Sequence, residues 1–291
     1  MNSTSAARVS PREMHVSSNG LRFSVTTWGN PNERPVVLLH GFPQEPATWS
    51  TLAVALAGDS FRLIAPLQRG YSYSTCVDGV PTYTFAQLMD DVLGIADALQ
   101  LDQFDVVGFG VGGAQAWMLA AYHPQRIRSL TSLLYPHPAA FAHGVQFEPS
   151  QKERFERLRR GFLSTDLRER TAVMLADNAR NFRDFLTGVS LPEPFVERYV
   201  RRLQDQRLLM GAFAWERAIS LEEFSRVPAV KVPSLLLWDE TSVMARTTVY
   251  ATAAYVLAPY HDIQIPDGGN FLLETSSERL ISPIRGHLRS N

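Results

Sequence analysis

The chain of 291 residues has one cysteine, almost no net charge and no long apolar run. A lone Cys76 excludes an intrachain disulfide and is typical of proteins from a reducing compartment. The 28 basic and 29 acidic residues leave a net charge of −1, which gives no electrostatic basis for binding nucleic acid or an anionic membrane. No segment is apolar over the length of a membrane span, and the N-terminus lacks the apolar core of a signal peptide. We therefore expect a cytoplasmic protein without nucleic-acid or membrane partners; the sequence does not indicate its oligomeric state.

Patterns for metals and nucleotides are also missing. The seven histidines are scattered, and none has the H-x-x-x-H or H-E-x-x-H spacing of a zinc site. Residues 108–113 (GFGVGG) do satisfy G-x-G-x-x-G, the phosphate-binding loop of dinucleotide-binding folds. Such a site also needs an acidic residue about 20 positions later for the ribose hydroxyls, and no Asp or Glu lies between Val111 and Gln146. We expect neither a metal nor a nucleotide cofactor.

Strand and helix patterns alternate along most of the chain. Helical patterns follow several apolar runs, as in Thr84–Leu99, where apolar residues recur every three or four positions. The predicted strands are Met14–Val16, Leu21–Trp28, Val36–Leu39, Arg62–Ala65, Asp105–Val107, Ser129–Leu134, Ser234–Trp238 and Asp262–Ile265. This alternation predicts an α/β protein with a mostly parallel sheet and helices on both faces.

The alternation is interrupted once. From Pro138 to Val227 the sequence is helical and rich in charge, with no convincing strand. We therefore predict a core formed by residues 14–137 and 228–291, a helical lid at 138–227, and a mobile tail at 1–13. Charged helix faces of this kind are typical of solvated surfaces, since a nucleic-acid patch needs aromatic interleaving and a basic balance.

Six segments carry motifs in a fixed order. They are VVLLHGFPQEPATW, RLIAPLQRGYS, VVGFGVGGAQAW, LLYPHPAAF, LLLWDETS and IPDGGNFLLE. In this order they resemble the oxyanion loop, the A-P-D-x-R-G-Y-S turn, the nucleophile elbow, the lid entry, the acid loop and the histidine loop of the α/β-hydrolase superfamily. The similarity is greatest to its epoxide-hydrolase-like branch and covers roughly Met14 to Leu288. It implies a mostly parallel sheet of about eight strands, flanked by helices, with a helical lid inserted after the sixth strand.

The same resemblance implies that the catalytic triad is absent. Gly110 stands at the central position of G-x-S-x-G (or G-x-D-x-G), where the family has its nucleophile. Ser242 stands at the position of the acid and Asn270 at that of the histidine. Glycine adopts the φ/ψ values of the elbow without steric penalty, so we expect the turn to remain while the reactive atom is lost.

Other groups are candidates for the remaining chemistry. The resemblance implies an oxyanion hole formed by the backbone N–H groups of Phe42 and Val111, and Val111 begins a helix whose N-terminus favours anions. For proton transfer the candidates are His137 and Tyr135, which follow the sixth strand. Alternatively, both are structural residues of the lid entry.

The remaining candidate residues concern ligand binding. Ser242 and Asn270 either hydrogen-bond a ligand or are packed without a function. Trp49, Trp215 and Phe271 are predicted to line an apolar pocket, the alternative being that each belongs to the core.

Three hypotheses of function follow. The first is a triad-less enzyme of small-molecule (secondary) metabolism, which catalyses a non-hydrolytic cyclisation, elimination or rearrangement of an apolar carbonyl compound through confinement and oxyanion stabilisation. The second is a non-catalytic binder or sensor of a small apolar organic ligand. The third is an atypical epoxide or ester hydrolase in which Asp239 or Glu240 acts with His137 on a water.

Overall fold

The computed structural model describes residues 9–77, 80–163 and 166–291, and for residues 80–81 and 158–163 it describes the backbone alone. Eight strands form one sheet in the order β1-β2-β4-β3-β5-β6-β7-β8. The strands are β1 Arg12–Ser18, β2 Leu21–Trp28, β3 Arg34–Leu39, β4 Phe61–Pro66, β5 Phe104–Phe109, β6 Ile127–Leu133, β7 Ser234–Trp238 and β8 Tyr260–Gln264. β2 pairs antiparallel with β1 and β4, and every later pairing is parallel. The predicted fold class, a mostly parallel sheet of eight strands flanked by helices, is confirmed.

The N-terminal boundary differs from the prediction. The first strand begins at Arg12 and pairs with Thr27, so Arg12 and Glu13 belong to the sheet and not to a tail. Residues 1–8 of the predicted tail lie outside the described residues. The apolar pattern missed this end because the side chains from Arg12 to His15 are exposed and the backbone pairing holds the strand.

Helices of the core cover both faces of the sheet. They are α1 Ser50–Ala57, α2 Phe85–Ala98, α3 Val111–Tyr122, α10 Arg246–Ala251, α11 Leu272–Thr275 and α12 Ser277–Ser290. Apolar residues of α1 and α12 pack in one cluster, and those of α2 and α3 in the other. The residues of β5 between the two clusters are all buried, as a central parallel strand requires.

Six further helices stand between β6 and β7, where the sequence predicts the insertion. They are α4 Pro138–Phe147, α5 Pro149–Leu163, α6 Leu167–Gly188, α7 Glu193–Leu203, α8 Gln206–Arg217 and α9 Leu221–Ser225. Helix α6 is broken at Ala176–Ala179, where the backbone leaves helical φ/ψ values. We call this group of helices the lid.

The glycine-rich segment has a structural explanation that involves no nucleotide. A Cβ atom added at Gly112 would lie 2.3 Å from the carbonyl oxygen of Leu39. Helix α3 therefore approaches the end of β3 as closely as backbone atoms allow, and glycine is required for that contact. The glycine spacing reflects this packing between a helix and the sheet.

Candidate active site

A cavity of about 120 Å³ lies between the lid and the sheet edge at which the parallel strands end. The core supplies residues that follow β3, β5, β6, β7 and β8, among them Phe42, Gly110, Tyr135 and Phe271. Lid helices supply most of the opposite wall, which is largely aromatic and aliphatic. In open parallel sheets, ligands bind at this edge of the strands. We call this space the inner cavity.

Gly110 forms the turn between β5 and α3. Its backbone has φ 54° and ψ −124°, values that cost residues other than glycine about 1–3 kcal/mol. Its N–H donates to the Leu133 carbonyl (3.0 Å), and its carbonyl accepts from Gly113 N (2.8 Å). A Cβ atom at this position would have no heavy atom within 4 Å. A side chain here has room at the wall of the inner cavity, as the predicted elbow requires.

Asn270 and Ser242 lie on neighbouring loops that meet beside the cavity. Asn270 lines the inner cavity, and its Oδ1 accepts a hydrogen bond from Val243 N (2.8 Å). Ser242 is buried, its Oγ accepts from Met244 N (3.2 Å), and it does not line the inner cavity. The assignment of Gly110, Ser242 and Asn270 to the positions of the family's triad stays a prediction from the motifs.

Asp239 and Glu240, the two alternative candidates for the acid, have structural roles. Asp239 accepts hydrogen bonds from Thr241 N (2.7 Å) and Gly268 N (3.1 Å), which joins the two loops. Glu240 is exposed and pairs with Arg246. Neither carboxylate lines the inner cavity, so the prediction of a water activated by one of them is wrong in its choice of residue.

Phe42 and Val111 both line the inner cavity, as Gly110 does. Val111 is the first residue of α3, and the first N–H groups of a helix lack partners within the helix. An oxyanion hole formed by these two N–H groups stays a prediction, which the shared wall supports.

His137 is outside the cavity, contrary to the prediction that it lies at the pocket. It caps α4: Nδ1 accepts from Ala139 N (3.2 Å), and Nε2–H donates to the Pro228 carbonyl (3.1 Å). The ring stacks on Tyr255 with 5.0 Å between centroids. Burial lowers the pKa of His137 to about 4. With both nitrogens engaged and the ring neutral, His137 is a structural residue.

Tyr135 does line the inner cavity. Its hydroxyl is buried and has no hydrogen-bond partner among the residues that the structure describes. Burial raises the pKa of Tyr135 well above the usual value, and the charge of Glu216 raises it further. The hydroxyl therefore stays protonated, and its proton is not used in a hydrogen bond to any described residue.

Of the three predicted pocket aromatics, one is in place. Phe271 lines the inner cavity. Trp49 is fully buried in the cluster under α1 and α12. Trp215 donates from Nε1 to the Arg69 carbonyl (3.0 Å) and stacks on His40. For both tryptophans the alternative of a core residue holds, because neither lines the cavity.

The structure adds a residue that the sequence did not single out, Glu216 near the end of α8. It lines the inner cavity and has no hydrogen-bond or ion-pair partner within the described ranges. Burial raises the pKa of Glu216 to about 7, because a carboxylate loses its hydration there. The sequence contains one indication of this residue: Glu216 directly follows the uncharged segment GAFAW, where an acidic residue is unusual.

A second buried carboxyl, Glu274, has different surroundings. Burial raises its pKa to about 7 as well. However, it accepts hydrogen bonds from Tyr199 Oη (2.6 Å) and Gln44 Nε2 (3.1 Å), and it does not line the inner cavity. Since Tyr199 belongs to α7 and Glu274 to α11, this network ties the lid to the core.

The described residues contain neither a metal-binding cluster nor a membrane-spanning helix. Within them, no group of three or more His, Cys, Asp and Glu side chains is arranged to hold a metal ion. Among the described helices, none combines the length and apolar character needed to cross a membrane.

Comparisons with known proteins agree on the fold. The family model of the alpha/beta hydrolase fold matches residues 34–276. The AB hydrolase superfamily protein YfhM of Bacillus subtilis is 29% identical over 230 residues, 77% of this chain and 79% of its own length. Epoxide hydrolase A of Mycobacterium tuberculosis is 25% identical over 305 residues, 90% and 92% of the two chains. A solved epoxide hydrolase from metagenomes of hot environments superposes with a TM-score of 0.82 at 24% identity, covering 96% of this chain and 99% of that one.

Proposed function

Because the chain belongs to the α/β-hydrolase family, we propose that it is an atypical hydrolase of the epoxide-hydrolase type, which adds water to an epoxide on an apolar molecule without a covalent intermediate. One observation carries the proposal. Glu216, whose carboxyl has no partner among the described residues, lines the same apolar cavity as Tyr135, whose buried hydroxyl also lacks a partner among them.

The reaction uses Glu216 as a general base. Ionised Glu216 removes a proton from a water, and the water oxygen bonds to one epoxide carbon while the bond between that carbon and the ring oxygen breaks. The released oxygen takes the proton of Tyr135, which Glu216 then replaces, so both groups return to their starting states. A pKa of about 7 suits this role, because a base is most effective when its pKa is near the working pH.

The apolar wall and Gly110 support the same reaction. With glycine at the turn, the position at which the family has its nucleophile carries no side chain that competes with water for the substrate carbon. The cavity of about 120 Å³ has room for an epoxide-bearing group together with a water, whose share of liquid volume is roughly 30 Å³.

A second candidate is the non-hydrolytic cyclisation, elimination or rearrangement of a carbonyl compound. One observation favours it: Phe42 and Val111, the predicted oxyanion-hole residues, line the same cavity as Glu216, so a base and an oxyanion site would share one wall. The names of the relatives, AB hydrolase and epoxide hydrolase, favour hydrolysis over this alternative. Binding without turnover is the third outcome.

The test is a reaction of the purified protein with styrene oxide and phenyl glycidyl ether in ¹⁸O-labelled water, analysed by mass spectrometry. We expect a diol that carries ¹⁸O in a single turnover with enzyme in excess, because the oxygen comes directly from water. The variant Glu216→Gln should lower the rate about 10²–10⁴-fold. Glu222→Gln, an exposed residue of α9 paired with Arg226, is the matched control and should leave the rate unchanged.

The other outcomes separate the rival functions. A product of unchanged mass would support rearrangement or ring closure. An epoxide that is retained by the protein but not consumed would support the binder. A diol rate that is the same in Glu216→Gln would remove Glu216 from the mechanism.

A further inference from the structure

A second, larger space adjoins the inner cavity. This outer cavity has a volume of about 510 Å³ and lies between α5, the end of α6 and the loop after β7. Five residues line both spaces, so the two spaces meet at these residues, which we call the neck. The neck consists of Arg154, Phe185, Val189, Val243 and Asn270.

The volumes set a limit on the ligand. The inner cavity, at about 120 Å³, is close in volume to an apolar cavity of ~150 Å³ that holds one benzene molecule. A ligand larger than a single ring therefore extends through the neck into the outer cavity, and the polar groups of the neck lie beside its middle.

Both polar side chains of the neck have hydrogen-bond donors to spare. Arg154 donates from Nη1 to the carbonyl of Ser242 and forms no ion pair with the described acidic residues. A guanidinium has five N–H donors. Asn270 uses Oδ1 to accept from Val243 N, which fixes the amide orientation, and none of the described residues accepts from its Nδ2. No acidic residue belongs to the neck.

The charge of Arg154 is not balanced by the rim of the outer cavity. Glu153, the acidic residue that lines this cavity, is already paired with Arg157 (2.8 Å) one helical turn along α5. Glu216 lies in the inner cavity, and burial alone accounts for its raised pKa, with no contribution from a neighbouring cation. The neck thus combines a net positive charge with several donors in apolar surroundings.

We propose that the neck binds the carboxylate of an amphipathic acid, whose apolar end occupies the inner cavity and whose remainder lies in the outer cavity. A carboxylate fits because its two oxygens accept from a guanidinium and an amide at once. Binding of such an acid does not depend on the proposed function. Its role as a substrate rests on the proposed function. The substrate class that follows is an epoxide-bearing aryl or alkyl carboxylic acid.

The test compares two probes that differ only in charge, 4-phenylbutyrate and 4-phenylbutanamide, by isothermal titration calorimetry at neutral pH. We expect the carboxylate to bind the wild-type protein at least about tenfold more tightly, since hydrogen bonds to charged groups are the stronger ones. Arg154→Leu should abolish this preference and Arg154→Lys should keep part of it. Arg226→Leu changes an exposed arginine directly after α9; it is the control and should keep all of the preference.

Asn270→Asp provides a second variant that leaves Arg154 in place. The isosteric carboxylate of Asp would repel 4-phenylbutyrate but would not affect binding of the neutral 4-phenylbutanamide. We therefore expect the preference for the carboxylate to vanish or reverse. Equal binding of both probes to the wild type, no binding of either, or a preference that survives Arg154→Leu would each overturn the proposal. Glu216→Gln should retain the preference even where diol formation is lost, which separates a failure of this inference from a failure of the proposed reaction.

Discussion

Glu216 and Tyr135 line one cavity, the first from a lid helix and the second from the loop after β6, and the charge of Glu216 helps to raise the pKa of Tyr135. Neither side chain has a hydrogen-bond partner among the described residues. Leaving buried polar groups unpaired costs about 1–3 kcal/mol each. Unpaired groups of this kind can form hydrogen bonds with a ligand. Four predictions concern this pair and the residues around it.

Removal of the charge of Glu216 should stabilise the protein at high pH. The folded-state pKa is about 7 against an ordinary value of 4.5, so the folded protein holds this proton more tightly than the unfolded chain. Stability from this group is therefore lost as pH rises from about 4.5 to 7, by up to about 3 kcal/mol. Urea unfolding of Glu216→Gln and wild type at pH 4.5 and pH 8 should show a difference that grows in favour of the variant. A difference independent of pH would contradict a buried, ionising Glu216.

Tyr135→Phe should separate stability from function. The Tyr135 hydroxyl has no partner to lose, so its removal should leave the free energy of unfolding unchanged or raise it by about 1 kcal/mol. Diol formation, in contrast, should fall by at least about tenfold, because the released epoxide oxygen loses its proton donor. Thermal unfolding and steady-state kinetics test the two halves. Tyr199→Phe is the contrasting control, since that hydroxyl hydrogen-bonds Glu274 and Thr48 and its loss should destabilise.

His137→Ala should reduce the stability of the fold without changing the catalytic activity. The change removes the cap of α4 and the bond to Pro228, which together should cost about 2 kcal/mol. His137→Asn should recover part of this loss, because asparagine is a good N-cap residue. We expect kcat/KM of the folded fraction to equal that of the wild type in both variants. A hundredfold loss of kcat in a stably folded His137→Asn would return His137 to the list of catalytic groups.

Gly110→Asp should allow the site to form a covalent ester with an epoxide, and Glu216→Gln should prevent hydrolysis of that ester. The cavity wall has space for the new side chain, and Asp tolerates positive φ better than most residues, so the variant should fold with a loss of about 1–3 kcal/mol. Its carboxylate should attack an epoxide carbon while the ring oxygen takes the Tyr135 proton. Asn270 is not a base, which leaves Glu216 as the base that could activate water against the ester. With Glu216→Gln added, the ester should accumulate and appear as an adduct in intact-protein mass spectrometry. Gly110→Asn, which fills the same space, should form no adduct.

The sequence by itself determined the sheet and its order of elements. Apolar runs between helical patterns predict the strands because buried parallel strands need continuous apolar side chains, and the motifs fix the turn at Gly110 and the loops of Ser242 and Asn270. The sequence also placed Tyr135 directly after a parallel strand, at the sheet edge where ligands bind, and the resemblance implied Phe42 and Val111 at the oxyanion hole. All three line the cavity, as does the predicted pocket residue Phe271.

Tertiary structure alone decided the rest. Whether a side chain faces the cavity depends on the packing of the lid, and the lid residues are far in sequence from the strands that they cover. Trp215 packs in the core, whereas its neighbour Glu216 lines the cavity. Helical periodicity shows which residues share a face, but it does not show which face contacts the cavity. His137 is withdrawn because its ring caps α4. The unusual pKa of Glu216 exists only because folding removes water from a carboxylate that has no partner among the described residues.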